Sequence, residues 1–305
     1  MWSSDRSLRI HHVRSQKEEL LWASSVDSIE NPHRLAAALL PNAKPGRETF
    51  KTFYRPYLRC SGLHAVCVRE QVLGWRLGKE IIRRHGDGLQ VTFDIGHATH
   101  YFMQNSRRYF RNVAVGWWEC AACGWKRFGR VQAQTCPKCG AHPRAFFYSE
   151  HHMLLDNPFR LSGHPDMFLE VASGEYRVTE IKTINGEAFK DLCAPLGDHI
   201  VQVTGYMMGL EHDKSLPIRV NTQSALIIYV SKAATKGQSP MKAFHVGRTE
   251  AYENMILEEL DHLQRAVDDP GHNPPGDTRC IESNWQVYRA KVCPVRKECR
   301  AIGCC

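Results

Sequence analysis

From residue 145 to 183 the hydrophobic pattern takes on the period of a strand, in three runs, AFFYSEHHMLL, FRLSGHPDMFLEV and EYRVTEIKTI. Only DNP and ASG separate them. Turn-forming connections this short cannot carry a crossover, so the runs are expected to pair as an antiparallel meander. Helical spacing surrounds them. Val66, Val72, Leu73, Leu77, Ile81 and Ile82 recur near helical intervals from Leu63 to Arg84, before HGDG breaks the pattern. Further helices are predicted from Ile95 to Arg111, from Asp198 to Leu210 and from Thr249 to Val267, with the apolar strand SALIIYVSK between the last two. Helices, hairpin strands, then helix, strand and helix predict an α/β fold with a mixed central sheet flanked by helices.

Two stretches stand outside that order. Residues 1–60 read as a helical and irregular N-terminal extension, with a polar turn at Pro41–Gly46, and 61–305 as the main domain. Within it, residues 116–143 are rich in Gly, Cys and Trp and have no regular period, as an inserted module would.

The predicted strands carry the chemistry. Side chains alternate along a strand, so Glu180 and Lys182 share a face, and a short turn brings Asp166 of GHPD alongside them. Alone, such a group could be an ordinary cross-strand ion pair. His100, four residues after Gly96 on a predicted helix, adds an imidazole, although His97 is a competing choice. Two carboxylates, an imidazole and an amine can together hold Mg2+ or Mn2+ against a phosphodiester. Gln202 and Tyr206, at i and i+4, share a helix face and could grip a nucleotide.

In this order, Gly96 to His100, Gly163 to Asp166, Glu180 to Lys182 and Gln202 to Tyr206 match GxxxH, GxxD, ExK and QxxxY. The chain thereby resembles the PD-(D/E)XK nuclease superfamily, in the branch of RecB-type domains, CRISPR-associated adaptation nucleases and phage exonucleases, over about residues 60 to 300. The resemblance implies a restriction-endonuclease-like fold. It also implies metal ligation by His100, Asp166, Glu180 and the Ile181 carbonyl, a catalytic Lys182, and Gln202 and Tyr206 in the substrate groove. Glu150 would support the metal from a second layer.

Of the 12 cysteines, Cys120, Cys123, Cys136 and Cys139 form CxxC, twelve residues, CxxC, the spacing of two knuckles around a tetrahedral Zn2+. In iron–sulfur members of the same branch, one cysteine near the domain start joins three near its end. By that resemblance Cys67, Cys280, Cys293 and Cys299 would hold a [4Fe–4S] cluster. Cys60, Cys304 and Cys305 are substitutes, and a second zinc site is the rival. Either way a loop of about 230 residues is closed, which removes entropy from the unfolded chain.

Other classes find no support. HExxH, GxSxG and GxGxxG are absent, and GWRLGKE at 74–80 lacks the spacer of a phosphate loop. The longest apolar run is about seven residues, so no membrane span is expected. At 43% hydrophobic and 24% charged residues, the composition supports a packed core. MWSSDRSLRIHH lacks the apolar region of a secretory signal, so a cytoplasmic location is expected. The formal charge is +8; one Zn2+ and one dicationic cluster, each with four thiolates, would reduce it to roughly +4. That modest excess suits a polyanionic partner.

The expectation is a metal-dependent DNA nuclease, an exonuclease on DNA ends or single strands, serving recombination, repair or phage genome processing. A structure-specific endonuclease and a catalytically silent DNA-binding factor using the zinc ribbon are the alternatives. With no ATPase motif here, a helicase or recombination partner would be another chain. Arg107, Arg108, Lys182 and Lys232 are expected to track the phosphate backbone, and Tyr206 to stack on a base.

Overall fold

The structure, a computed structural model, describes residues 49–84, 87–106, 108–131, 134–156, 159–233 and 239–303, without the side chains of 49–51, 82–84, 87–90 and 281. Of the extension expected over residues 1–60, residues 1–48 with the turn at Pro41–Gly46 lie outside the described residues, as do Arg107, Cys304 and Cys305. Strands β1 (Thr49–Phe53) and β2 (Leu58–Arg59) lead through a 3-10 turn (Cys60–Ala65) to helix α1 (Val68–Arg76), β3 (Glu80–Arg84) and α2 (Asp87–Asn105). Six short strands follow: β4 (Ala114–Cys120), β5 (Lys126–Gly129), β6 (Phe146–Ser149), β7 (Met153–Leu155), β8 (Leu161–Gly163) and β9 (Met167–Ala172). The chain then runs through β10 (Glu175–Ile184), α3 (Gly186–Asp191), α4 (Gly197–His212), β11 (Val220–Ser231), β12 (Met241–Gly247) and α5 (Glu250–Asp268). Three short helices, α6 (Thr278–Glu282), α7 (Tyr288–Val292) and α8 (Arg296–Ile302), form the tail.

The central sheet has the order β12-β11-β10-β9-β4-β5, with β6 also on β4. Within this sheet, among the described residues, only β10 and β11 pair in parallel, and α4 makes the crossover between them. Both faces are covered, as the alternation along the strands requires. Phe168, Val178 and Ile227 pack with Val203, Met207, Ile256 and Leu260, against α4 and α5. Their neighbours Met167, Leu169, Ile181 and Ile228 turn the other way, toward Met103 of α2 and Trp118 of β4.

Four expectations are corrected. The helix predicted from Ile95 to Arg111 runs instead from Asp87 to Asn105. The helix predicted from Leu63 to Arg84 is helical only over α1. Gly78 takes a left-handed φ of 58°, and Glu80–Arg84 pairs with β1 as a strand. Ile81 and Ile82 fit both periods, and strand pairing decides.

The first two meander runs each break in two. Pro165 has no N–H to give to a ladder and disfavours strand continuation, so β8 stops at Gly163 and β9 starts afresh at Met167. β7 and β8 leave the central sheet to pair with each other and with β2, while β9 and β10 keep the expected hairpin. The fourth correction concerns 116–143, where β4 and β5 are regular strands. β4 also pairs with β9 through Ala114 and Val115, which ties the cysteine-rich segment to the central sheet.

Among the described residues no helix is long and apolar enough to cross a membrane.

Candidate active site and metal centres

The site lies where the β9–β10 ladder ends. The last register pair is Met167 with Thr179. Beyond it the Ile181 N–H has no strand partner and donates to Asp166 Oδ2 at 2.6 Å. Asp166 thus continues the ladder with a side chain, and its other oxygen, Oδ1, lies 3.2 Å from His100 Nδ1 on α2.

On the opposite side, Lys182 Nζ donates to Glu180 Oε1 at 2.7 Å and to Gln202 Oε1 at 2.8 Å. Gln202 Nε2 in turn lies 2.8 Å from Glu180 Oε1 and 2.9 Å from the Tyr206 hydroxyl. The Tyr206 hydroxyl donates to the His164 carbonyl at 3.0 Å, which fixes the GHPD turn from below. Gly163 is needed there, because a Cβ would fall 2.5 Å from the Tyr206 ring. Tyr206 is only 2% exposed, so the expectation that it stacks on a base is corrected. Gln202 is likewise buried; its amide meets Lys182, Glu180 and Tyr206, while Tyr206 meets the His164 carbonyl.

Sequence reasoning underweighted two residues. Glu150, between β6 and β7, offers a carboxylate oxygen within 4.8 Å of ligand atoms of both His100 and Asp166. Gln104 was missed. One turn beyond His100 on α2, its Nε2 donates to the Asp166 carbonyl at 2.7 Å and to Glu150 Oε1 at 3.3 Å. The i+4 spacing from His100 is the signal that could have found it. His97 is exposed and is not among the converging groups.

The electrostatics point to a cation. Burial and the facing Asp166 carboxylate push Glu180 well above the usual carboxylate range, against the opposing effect of Lys182. The same two causes push Glu150 up to about 7. Burial opposes the imidazolium of His100, but the Asp166 hydrogen bond and the charges of Asp166, Glu180 and Glu150 raise its pKa. Glu180 Oε2 is buried and, among the described residues, has no hydrogen-bond partner. Leaving such an acceptor unmatched costs about 1–3 kcal/mol, more when it is ionised. Hard oxygen donors, one imidazole and a buried carboxylate oxygen without a hydrogen-bond partner suit Mg2+ or Mn2+, so the residues fit a divalent ion.

The four ribbon sulfurs also fit a metal. Cys120 Sγ lies 3.8 Å from Cys139 Sγ, and Cys123 Sγ lies 3.7 Å from Cys136 Sγ. Four sulfurs at about 2.3 Å from a tetrahedral zinc would be separated by about 3.8 Å. Each knuckle closes with a glycine N–H on the first cysteine carbonyl: Gly124 on Cys120 and Gly140 on Cys136, both at 2.8 Å. The turn needs φ of 68° and 72° at those glycines.

Cys67, Cys280, Cys293 and Cys299 line one cavity where α1 meets the tail helices. Among the described residues they are not among the groups converging within 4.8 Å, unlike the ribbon quartet. Cys60 is elsewhere, buried against Gly163 and Gly205, and Cys193 is exposed. Buried Arg69 ties α1 to the tail, donating to the Pro274 carbonyl at 2.6 Å and the Gly303 carbonyl at 2.9 Å.

A family model of the PD-(D/E)XK nuclease superfamily matches residues 79–300, and the chain belongs to that superfamily. Its mixed sheet flanked by helices is the restriction-endonuclease-like fold. No curated protein matches the chain. Among solved structures it is similar to the alkaline exonuclease LHK-Exo from Laribacter hongkongensis, with 11% identity and a TM-score of 0.37 over 70% of this chain and 91% of that one. The complex of LHK-Exo with dAMP gives 11% identity and a TM-score of 0.40 over 70% and 88%. SSO0001 gives 11% and 0.36 over 92% and 97%.

Proposed function

We propose that this chain is a metal-dependent deoxyribonuclease, an exonuclease that hydrolyses phosphodiester bonds from DNA ends or in single strands. The observation that carries the reading is the convergence of His100, Glu150 and Asp166, beside the buried Glu180–Lys182 pair on β10, where Glu180 Oε2 has no partner among the described residues; Glu180 itself is not among the groups converging within 4.8 Å. Superfamily membership supports the same chemistry.

In this reading His100, Asp166, Glu180 and the Ile181 carbonyl hold Mg2+ or Mn2+, and Glu150 assists. A strand residue's N–H and C=O point to the same edge, so the Ile181 carbonyl faces the side from which Asp166 takes its N–H. When bound, the cation would acidify a water and screen phosphate charge. Lys182 has three donor protons, two of them directed at Glu180 and Gln202. The third is free to orient water or steady developing negative charge. Gln202 and Tyr206 keep that ammonium and the GHPD turn in place, which makes them positioning residues.

Cys120, Cys123, Cys136 and Cys139 would hold Zn2+ in a ribbon inserted at 116–143 in a nuclease domain spanning 61–305. Cys67, Cys280, Cys293 and Cys299 would hold a [4Fe–4S] cluster that ties the domain's ends together. The setting we infer is recombination, repair or phage genome processing, with any helicase as a separate chain.

Metal titration against linear and circular single-stranded DNA tests the reading. Mg2+ or Mn2+ should switch on cleavage of the linear strand and leave the circle uncut. A cut circle would make the chain an endonuclease, and no cleavage with either ion would make it a binding factor.

A further inference from the structure

Beside the site runs a groove that the chemistry above does not use. Its floor is the small sheet of β2, β8 and β7, and Phe53 and Ile81 of the β1–β3 pair form part of its wall. At its inner end the ladder of β7 and β8 closes with Met153 opposite Gly163. The next residue on each strand is a histidine. His152 and His164 are stacked face to face, with ring centroids 4.5 Å apart and planes 1° from parallel. Both are exposed, so no core packing requires the stack.

His164 belongs to the GHPD turn. Its carbonyl receives the Tyr206 hydroxyl, and Asp166 of the proposed metal site follows two residues later in the chain. Along it lie the exposed guanidinium groups of Arg55 and Arg59, neither of which has an acidic partner among the described residues. Phe53, 58% exposed, and Tyr57 complete an apolar and aromatic lining.

We infer that this groove binds a single strand of DNA and feeds it to the metal site, with unstacked bases on the His152–His164 plate and on Phe53, and phosphates on Arg55 and Arg59. Flat rings alternating with unpaired cations are what a single strand needs, since every base has a face to stack and every linkage a charge. A duplex keeps its base faces to itself, and the ring plate would have nothing to receive. The inference rests on the nuclease reading for its direction of feed, and on the groove alone for binding.

Binding of a fluorescein-labelled oligothymidylate to the full chain, measured by anisotropy in EDTA over a range of salt, separates the two. Arg55→Ala with Arg59→Ala should weaken binding and lower the salt slope by about 1.4, the release expected from two single-strand phosphates. Arg55→Lys with Arg59→Lys should restore the slope. His152→Ala with His164→Ala should weaken binding at least fivefold with the slope unchanged. Melting curves matching the parent establish that the variants are folded.

Parental affinity and slope in both double alanine variants would overturn the groove and leave a DNA-cleaving parent protein as an enzyme. Loss of duplex binding with single-strand binding intact would overturn it too. Variants that behave as expected in a parent chain that cleaves no DNA with Mg2+ or Mn2+ would uphold the groove and overturn the nuclease reading instead.

Discussion

Asp166 performs two tasks with one carboxylate. One oxygen ends the β9–β10 ladder on the Ile181 N–H, and the other faces His100. Its neighbours on β10 were legible in the sequence because alternation along a strand is strict: Glu180 and Lys182 had to share a face. Glu150 and Gln104 were harder to see. Glu150 reaches the site only because its run breaks after β6, and Gln104 looked like an ordinary helix residue until its amide was found between Glu150 and the Asp166 backbone. Groups that hold ligands in place typically affect metal affinity or activity about 10–100-fold. Gln104→Leu should therefore raise the Mn2+ concentration needed for half-maximal cleavage by about tenfold. Unchanged metal dependence would remove Gln104 from the account.

Elements were legible where one period dominated and obscure where two fitted. α4 and α5 lie within two residues of their sequence bounds, whereas Ile81 and Ile82 served helix and strand equally and β1 decided the outcome. The break at Glu150 to His152 gains a physical cause at this scale. Buried His151 accepts from Trp117 Nε1 of β4 at 3.4 Å and bonds Asp213, just after α4, through Nε2 at 2.7 Å. Burial alone would raise the Asp213 carboxyl, but hydrogen bonds from His151 and Ser215 outweigh it and hold the carboxyl below its usual value. A depressed carboxylate stabilises the fold above its unfolded pKa and loses that contribution as pH falls through the folded one. Asp213→Asn should lower Tm at pH 7 by about 4 °C or more, with the gap to the parent closing toward pH 3. A gap that is independent of pH would show that the pair is not held by charge. In the ribbon, metal analysis should find one zinc per chain and Cys136→Ser should lose it; retention of zinc by that variant would exclude the tetrahedral site.

Over the whole molecule, the order of helices and strands gave the mixed sheet, because short turns and one crossover leave few other arrangements. The closure of the chain ends was expected only through the likeness to iron–sulfur nucleases, since cysteine spacing alone does not say which thiols meet. The fold brings Cys67 to the tail cysteines and keeps Cys60 away, and Arg69 clasps the tail through carbonyls more than 200 residues distant. Anaerobically purified protein should absorb visible light, and Arg69→Met should lose that colour together with protease resistance of residues 270–303. A colourless, zinc-loaded parent protein would replace the cluster by a second zinc. The account as a whole depends on the site at the end of the β9–β10 hairpin, and cleavage of linear single-stranded DNA by Asp166→Ala and Lys182→Ala, folded as the parent and assayed with Mn2+, tests it most directly. The account predicts a loss of at least a hundredfold in both; parental rates in both would contradict it.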